Sequence, residues 1–180
     1  NYGLKAQEAG CDAVVGEGVE AGGHNGINET TTISLIPQLV DAVKIPVIAT
    51  GGIADGRGIL AALSLGAEGV QIGTRFAATV ESSAHDNYKK KVVEAKDDGT
   101  IVRMLKNDFA FRALKAENEC WDESKLMELL GSKRERLGIF EGDEIEGELE
   151  AGQSSGLVNE ILTVKELFKK LLNEVSEAKR

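Results

Sequence analysis

Pro46-Val47-Ile48-Ala49-Thr50-Gly51-Gly52-Ile53-Ala54-Asp55-Gly56-Arg57-Gly58 is the stretch that decides the fold. Apolar residues over 47–49 make a short buried strand. The Gly51-Gly52 pair turns the chain, and Asp55 opens a helix expected over 55–65 and closed by Gly66. A strand ending in paired glycines beside a helix start gathers backbone N–H groups with no side chain in the way. Such a point suits an anion, because unpaired amides and the positive end of the helix dipole face it together. The pattern returns in Gly69-Val70-Gln71-Ile72-Gly73-Thr74-Arg75-Phe76, where a second strand (70–72) enters a second glycine turn. Two neighbouring turns of this kind form one phosphate cradle, as in (β/α)8 barrels that hold a phosphate after their seventh and eighth strands. The bland alternative is plain turn chemistry. The GxGxxG dinucleotide fingerprint is not matched in a strand–turn–helix context.

Working outward, residues 12–15 read as a buried strand, followed by a loop over 16–26 that holds five glycines in eleven residues. Thr30-Thr31-Thr32 offers helix caps. Leu35, Ile36, Leu39, Val40 and Val43 then form an apolar stripe, with Pro37 in the first turn if the helix begins near Leu35. The order β-α-β-α-β with short connections predicts a parallel sheet with crossover helices. Upstream, residues 4–10 look like a helix ending in a C-cap glycine, with neither an initiator Met nor a signal-peptide layout before it. The expectation is a piece of something longer.

Beyond residue 80 the character changes. A charged helix is expected from Ser83 to about Lys96, broken by Asp97-Asp98-Gly99, then a strand over 101–104 and helices over 108–118 and 123–130. The acidic stretch 141–150 reads as extended or looped, and 151–156 as a small-residue loop. Thr163-x-x-Glu166 is a capping box that opens a final helix with Val164, Leu167, Leu171, Leu172 and Val175 on one face. Two parts are expected: 1–80 carrying the strands, and 81–180, mainly helical, with its last helix packed on the first part.

The 180 residues are 42% hydrophobic, a globular composition with room for one sizeable core. A net charge of −9 and a pI near 4.9 argue against a nucleic-acid binder. No run of 18 apolar residues exists, so no membrane span is expected. Cys11 and Cys120 make neither a disulfide framework nor a metal set, and free thiols in a reducing cytoplasm are the expectation.

His24 sits in Glu20-Ala21-Gly22-Gly23-His24-Asn25-Gly26, a side-chain-poor loop that leaves the same end of the sheet as the glycine turns. An imidazole titrates near neutrality and can take a proton from a carbon acid, which makes His24 the candidate general base. Glu17 and Glu20 share the loop and either orient His24, bind ligand hydroxyls or solvate the loop. Gln71 is either an interior polar plug or a ligand contact. Arg75 either faces the phosphate or pairs with a carboxylate. His85 reads as a structural residue at a helix start.

Taken in order, Glu20-Ala21-Gly22-Gly23-His24, Gly51-Gly52-Ile53-Ala54-Asp55-Gly56 and Gln71-Ile72-Gly73-Thr74-Arg75-Phe76 resemble the nitronate monooxygenase (2-nitropropane dioxygenase-like) family. That family includes flavin-dependent enoyl-acyl-carrier-protein reductases. Glu81 to His85 and Ala151 to Leu157 resemble its later segments. The resemblance implies an α/β fold, the C-terminal part of a TIM-like (β/α)8 barrel followed by a helical segment, with the N-terminal strands outside this chain. It implies non-covalent FMN, with Gly22, Gly23, Gly51, Gly52, Gln71, Gly73 and Thr74 as cofactor contacts, Gly73 and Thr74 at the phosphate, and His24 as the catalytic residue. The implied partners are a small alkyl nitronate and O2. An enoyl thioester with NAD(P)H is the alternative, and there is room for a homodimer. Glu17 stands where many nitronate monooxygenases carry Gln and the enoyl reductase branch carries Glu. Outside the family, a non-catalytic phosphate-ligand module or a phosphosugar enzyme would share the glycine turns.

Overall fold

The structure, a computed structural model, describes residues 2–101 and 103–179. Helix α1 (Tyr2–Glu8) leads to strand β1 (Val14–Glu17), helix α2 (Thr32–Ala42), strand β2 (Val47–Thr50), helix α3 (Gly56–Ser64) and strand β3 (Gly69–Gln71). The three strands form one parallel sheet in the order β1-β2-β3, Val14 pairing with Val47 and Ile48 with Gly69. The expected parallel β-α-β-α-β unit is what forms, with the third strand one residue earlier than 70–72. Central β2 is the most buried strand, whereas edge strand β1 alternates, with Val14 and Gly16 inward and Val15 and Glu17 outward. Val14, Ile36, Val47, Ala49, Ile53 and Ala62 pack between the sheet and its two crossover helices.

Helix α2 begins at Thr32, earlier than Leu35, so Pro37 falls in its second turn. The bond lost there belongs to the carbonyl of Ile33, an exposed residue that water can serve. Thr31 does not cap this helix with its side chain. Glu20 does so from the loop, its carboxylate accepting from Thr32 N–H at 3.0 and 3.1 Å and from Thr32 Oγ1 at 3.0 Å. Helix α3 is capped twice. Asp55 accepts from the N–H groups of Arg57 and Gly58, both at 3.0 Å, and Glu174 Oε2 accepts from Gly56 N–H at 2.9 Å. The expectation that this helix start faces an anion is therefore corrected, since protein carboxylates hold its first three amides.

After β3 come the short α4 (Thr74–Ala77), α5 (Asp86–Glu94), strands β4 (Thr100–Ile101) and β5 (Met104–Leu105), α6 (Asp108–Asn118), α7 (Glu123–Leu130) and α8 (Val164–Ala178). His85 is the N-cap of α5, with Nδ1 accepting from Asn87 N–H at 3.1 Å, so the helix starts later than Ser83. The strand expected over 101–104 is instead an antiparallel hairpin, Thr100 opposite Leu105 and Ile101 opposite Met104, with Val102 outside the described residues. The capping box of α8 forms as read, and its Leu167 and Leu171 are buried against the first part of the chain. A second cluster, including Ala54, Ala78, Tyr88, Val92, Leu105, Leu149 and Ala151, joins the later segments to the end of the sheet where the glycine turns lie. No helix of the described residues is long and apolar enough to cross a membrane.

Glu146 illustrates how the acidic 141–150 stretch is tied down. Arg112 and Arg134 both hydrogen-bond its carboxylate and hold it at a pKa of about 2, below the ordinary 4.5. A depressed carboxylate stabilises the fold above its unfolded value, and that contribution is lost as pH falls through the folded one. Glu146→Gln is expected to be less stable than the parent at pH 7 and equal to it once the pH reaches about 2. Urea unfolding at the two pH values checks this, and an equal deficit at both would rule out the charge pairing as its cause.

Candidate active site

The C-terminal ends of all three strands open into one cleft of about 350 Å³. Its sheet side is Glu17 from β1, Thr50 through Ile53 after β2, and Gln71, Gly73 and Thr74 after β3. Its outer wall is Ala21 and Gly22 from the glycine loop with Tyr88, Ile139, Glu150, Gly152 and Ser154 from the later segments. Strand ends in parallel sheets are where such ligand clefts form.

The two glycine turns present what an anion needs. The N–H groups of Gly52, Ile53, Gly73 and Thr74 have no protein acceptor among the described residues, and all four residues line the cleft. Ile53 is buried, Gly52 and Thr74 are half-buried and Gly73 is exposed, so the four amides are open to an acceptor from outside the chain, water or an anion. Gly51 (φ +100°) and Gly52 (φ +71°) hold a left-handed backbone that other residues rarely adopt. Gly73 differs. Its φ of −86° suits any residue, and a Cβ there would meet nothing within 4 Å, so no contact within the protein requires glycine at this position. Thr74 Oγ1 accepts from Gly152 N–H at 2.9 Å, which leaves its own O–H to donate. A phosphate fits this donor set.

The outer wall is stitched to the glycine loop. Gln153 N–H donates to Glu20 O at 2.9 Å, and the N–H groups of Gly23 and Ala151 both donate to Arg103 O at 3.1 Å. Gly22 lies so close that a Cβ there would fall 2.6 Å from the backbone of Ala151. Tyr88 Oη donates to Glu150 O at 2.7 Å, and burial keeps the phenol protonated by pushing its pKa up.

Of the residues singled out above, Gly22, Gly51, Gly52, Gln71, Gly73 and Thr74 line the cleft together. Gly23 is not among the lining residues. His24 stands outside the lining with its side chain 83% exposed and Nδ1 3.4 Å from Glu150 Oε1. Glu17 lines the cleft, but Glu20 is committed to Thr32 and does not orient His24. Arg75 turns away from the glycine turns. Its side chain is 3% exposed, Nη1 donates to Glu160 O at 3.2 Å, and desolvation lowers its pKa against the pull of Glu160 and Glu174.

Tyr88 and Glu150 had no local signal, because packing brings them from far along the chain, whereas Gly152 and Ser154 lie in the stretch 151–157 that resembles a later segment of the family. Burial raises the Glu150 carboxyl, helped by Glu148 and Glu135, with His24 pulling the other way. Burial likewise raises Glu148, against His24. His24, Glu148 and Glu150 each offer one donor atom within 4.8 Å of the others.

The nitronate monooxygenase family model matches residues 3–174. A probable nitronate monooxygenase of Staphylococcus aureus is 48% identical over 104 residues, which are 53% of this chain and 29% of that protein. FabK from Thermotoga maritima has a similar structure, with a TM-score of 0.90 and 42% identity over 98% of this chain and 58% of that one. A nitroalkane oxidase from Streptomyces ansochromogenes follows the same path, with a TM-score of 0.78 and 30% identity over 98% of this chain and 55% of its own. The chain thus spans less than two thirds of each of these relatives. With the family model covering nearly all of its length, and with the glycine loop and both glycine turns meeting at one cleft, this chain belongs to the nitronate monooxygenase family, a family of oxidoreductases.

Proposed function

We propose that the cleft holds FMN and that the protein oxidises alkyl nitronates with O2. The observation that carries this reading is the set of free amides at Gly52, Ile53, Gly73 and Thr74, placed to receive the cofactor's phosphate. Bound flavin supplies the redox chemistry, taking electrons from the substrate and passing them to O2. The chain's own part is placement. The two glycine turns and the Thr74 hydroxyl grip the phosphate, Gln71 and Gly22 flank the ring, and Tyr88 closes the outer wall. With a neutral nitroalkane, His24 accepts the proton from the carbon bearing the nitro group. We further propose that the sheet is part of a (β/α)8 barrel whose cofactor turns follow β2 and β3. The parallel order β1-β2-β3 and the extent of the match to FabK support this. Residues 1–80 would supply the barrel strands and 81–180 the outer wall. The exposed free thiols of Cys11 and Cys120 accord with a reducing cytoplasm.

Glu17 on the cleft favours a second reading on the same site, an NAD(P)H-dependent enoyl reductase. One experiment separates the two. The full protein is purified, its flavin spectrum recorded, and O2 uptake followed with propionate 3-nitronate. NADH loss is then followed with crotonyl thioester. Nitronate-dependent O2 uptake supports the first reading. Thioester-dependent NADH loss replaces it with the second, and a protein without flavin overturns both.

Gly73→Ala tests the phosphate grip directly. The backbone tolerates alanine there and its methyl would touch nothing in the protein, so thermal stability should hold, while the methyl is expected to crowd a phosphate gripped at this turn. Loss of one or two charge-assisted hydrogen bonds, at about 1.5–3 kcal/mol each, weakens FMN binding by about 10–100-fold or more. Flavin fluorescence titration reads this. Unchanged affinity would move the phosphate elsewhere.

A further inference from the structure

We propose that Glu150 is the positioning residue of His24, holding the imidazole by Nδ1–H so that Nε2 is left as the proton acceptor. This rests on the reading of His24 as the base of the site. Glu150 Oε1 lies 3.4 Å from His24 Nδ1, a gap that a small movement closes to a hydrogen bond, and catalytic hydrogen bonds are often long before ligands bind. Nε2 has no partner among the described residues, and the ring otherwise stands in the open.

The surrounding backbone is built to keep the pair together. Gly23, the neighbour of His24, has φ +80°, and a Cβ there would press on all three carboxyl atoms of Glu150 at 3.1–3.3 Å. Glycine leaves the room that the carboxylate occupies. Gly23 N–H and Ala151 N–H, one on each side of the pair, hang from the same carbonyl of Arg103. Tyr88 fixes the Glu150 carbonyl, and an isolated antiparallel bridge joins Glu150 to Met104. Glu150 is half-buried, so its charge acts on an imidazolium through less water than a surface carboxylate would. A carboxylate on Nδ1–H selects the tautomer and steadies the ring once Nε2 has taken a proton, the logic by which an aspartate serves the histidine of a catalytic triad.

The chain has only two histidines, which makes the test clean. Nitrogen NMR of the neutral imidazoles is expected to show His24 as the Nδ1–H tautomer, turning to Nε2–H in Glu150→Ala. His85, whose Nδ1 accepts from Asn87, stays Nε2–H in both and serves as the internal reference. Glu150→Gln keeps an acceptor oxygen at the same reach and should retain the parent tautomer. It serves also if the alanine variant folds poorly. The same tautomer in parent and alanine variant overturns the proposal.

A kinetic arm uses the full, FMN-loaded protein. Glu150→Ala should lower kcat about 10–100-fold on a neutral nitroalkane, which must lose a proton, and by a clearly smaller factor on the corresponding nitronate, which has lost it already. Equal losses on both substrates overturn the link to His24. A parent that turns over neither substrate refutes the proposed reaction, while the tautomer measurement still decides the pairing.

Discussion

His24→Ala in the FMN-loaded protein is expected to lower turnover of a neutral nitroalkane by about 10²–10⁴-fold, the usual contribution of a general base. Flavin content should not change, because His24 stands outside the cleft lining with its side chain largely exposed. Glu150→Ala should cost less, since it disturbs the ring without removing it. The nitronate, already deprotonated, should be oxidised by His24→Ala at a rate much closer to that of the parent. That contrast separates a base from a binding residue, because a lost substrate contact would slow both substrates. A phosphate-ligand module with no catalysis would show no turnover to lose. If His24→Ala keeps nitroalkane turnover within a few-fold of the parent, the proton goes elsewhere, and Glu150, which does line the cleft, is the first group to test.

The cleft's sheet side was legible in the sequence because its determinants are local. Gly51-Gly52 and Gly73-Thr74 begin within two residues of the ends of β2 and β3, so a strand-and-turn reading puts them at the same sheet end. Of the outer wall, Gly22 and the 151–157 loop were legible, but Tyr88, Ile139 and Glu150 were not. Glu150 sits in an acidic run whose composition suggests a solvated loop, yet burial and the pairing with Met104 and Tyr88 bring it to the cleft. Two local readings also yielded to tertiary contacts. The start of α3 looked free for an anion, but Glu174, 118 residues downstream, supplies the acceptor for Gly56 N–H. Glu20 had three roles open to it, orienting His24, binding ligand hydroxyls or solvating the loop, and the uncapped start of α2 is a stronger claim on its carboxylate than any of them. A turn of π-helix at Arg136–Phe140 had no sequence signal. Gly138 explains its fit afterwards, since a Cβ there would lie 2.6 Å from Glu148 O.

Gly56→Ala is expected to be strongly destabilising. A Cβ at Gly56 would lie 2.3 Å from Val175 N and 2.4 Å from the carbonyl carbon of Glu174, and these are backbone atoms of α8 that no rotamer change can move. The helices must part, which strains the Gly56–Glu174 hydrogen bond and loosens the burial of Leu167 and Leu171. Overpacking of this kind costs about 1–3 kcal/mol or more. In a chain of this size each kcal/mol is worth about 2–4 °C, so a loss of about 3 kcal/mol lowers the Tm by about 6–12 °C. Gly58→Ala, two residues on in the same helix, is the matched control. Its Cβ would rest 3.4 Å from Ile53 in ordinary contact, and alanine in place of glycine favours the helix by about 0.5–1 kcal/mol. The two variants should therefore move the Tm in opposite directions although they add the same methyl to the same helix. Equal shifts would mean that helix propensity, and not the close approach of α8, governs this face. The consequence reaches the cleft, because α3 begins four residues after Gly52. A displaced α3 drags the first glycine turn with it, so Gly56→Ala should weaken FMN binding from outside the site, whereas Gly58→Ala leaves it intact.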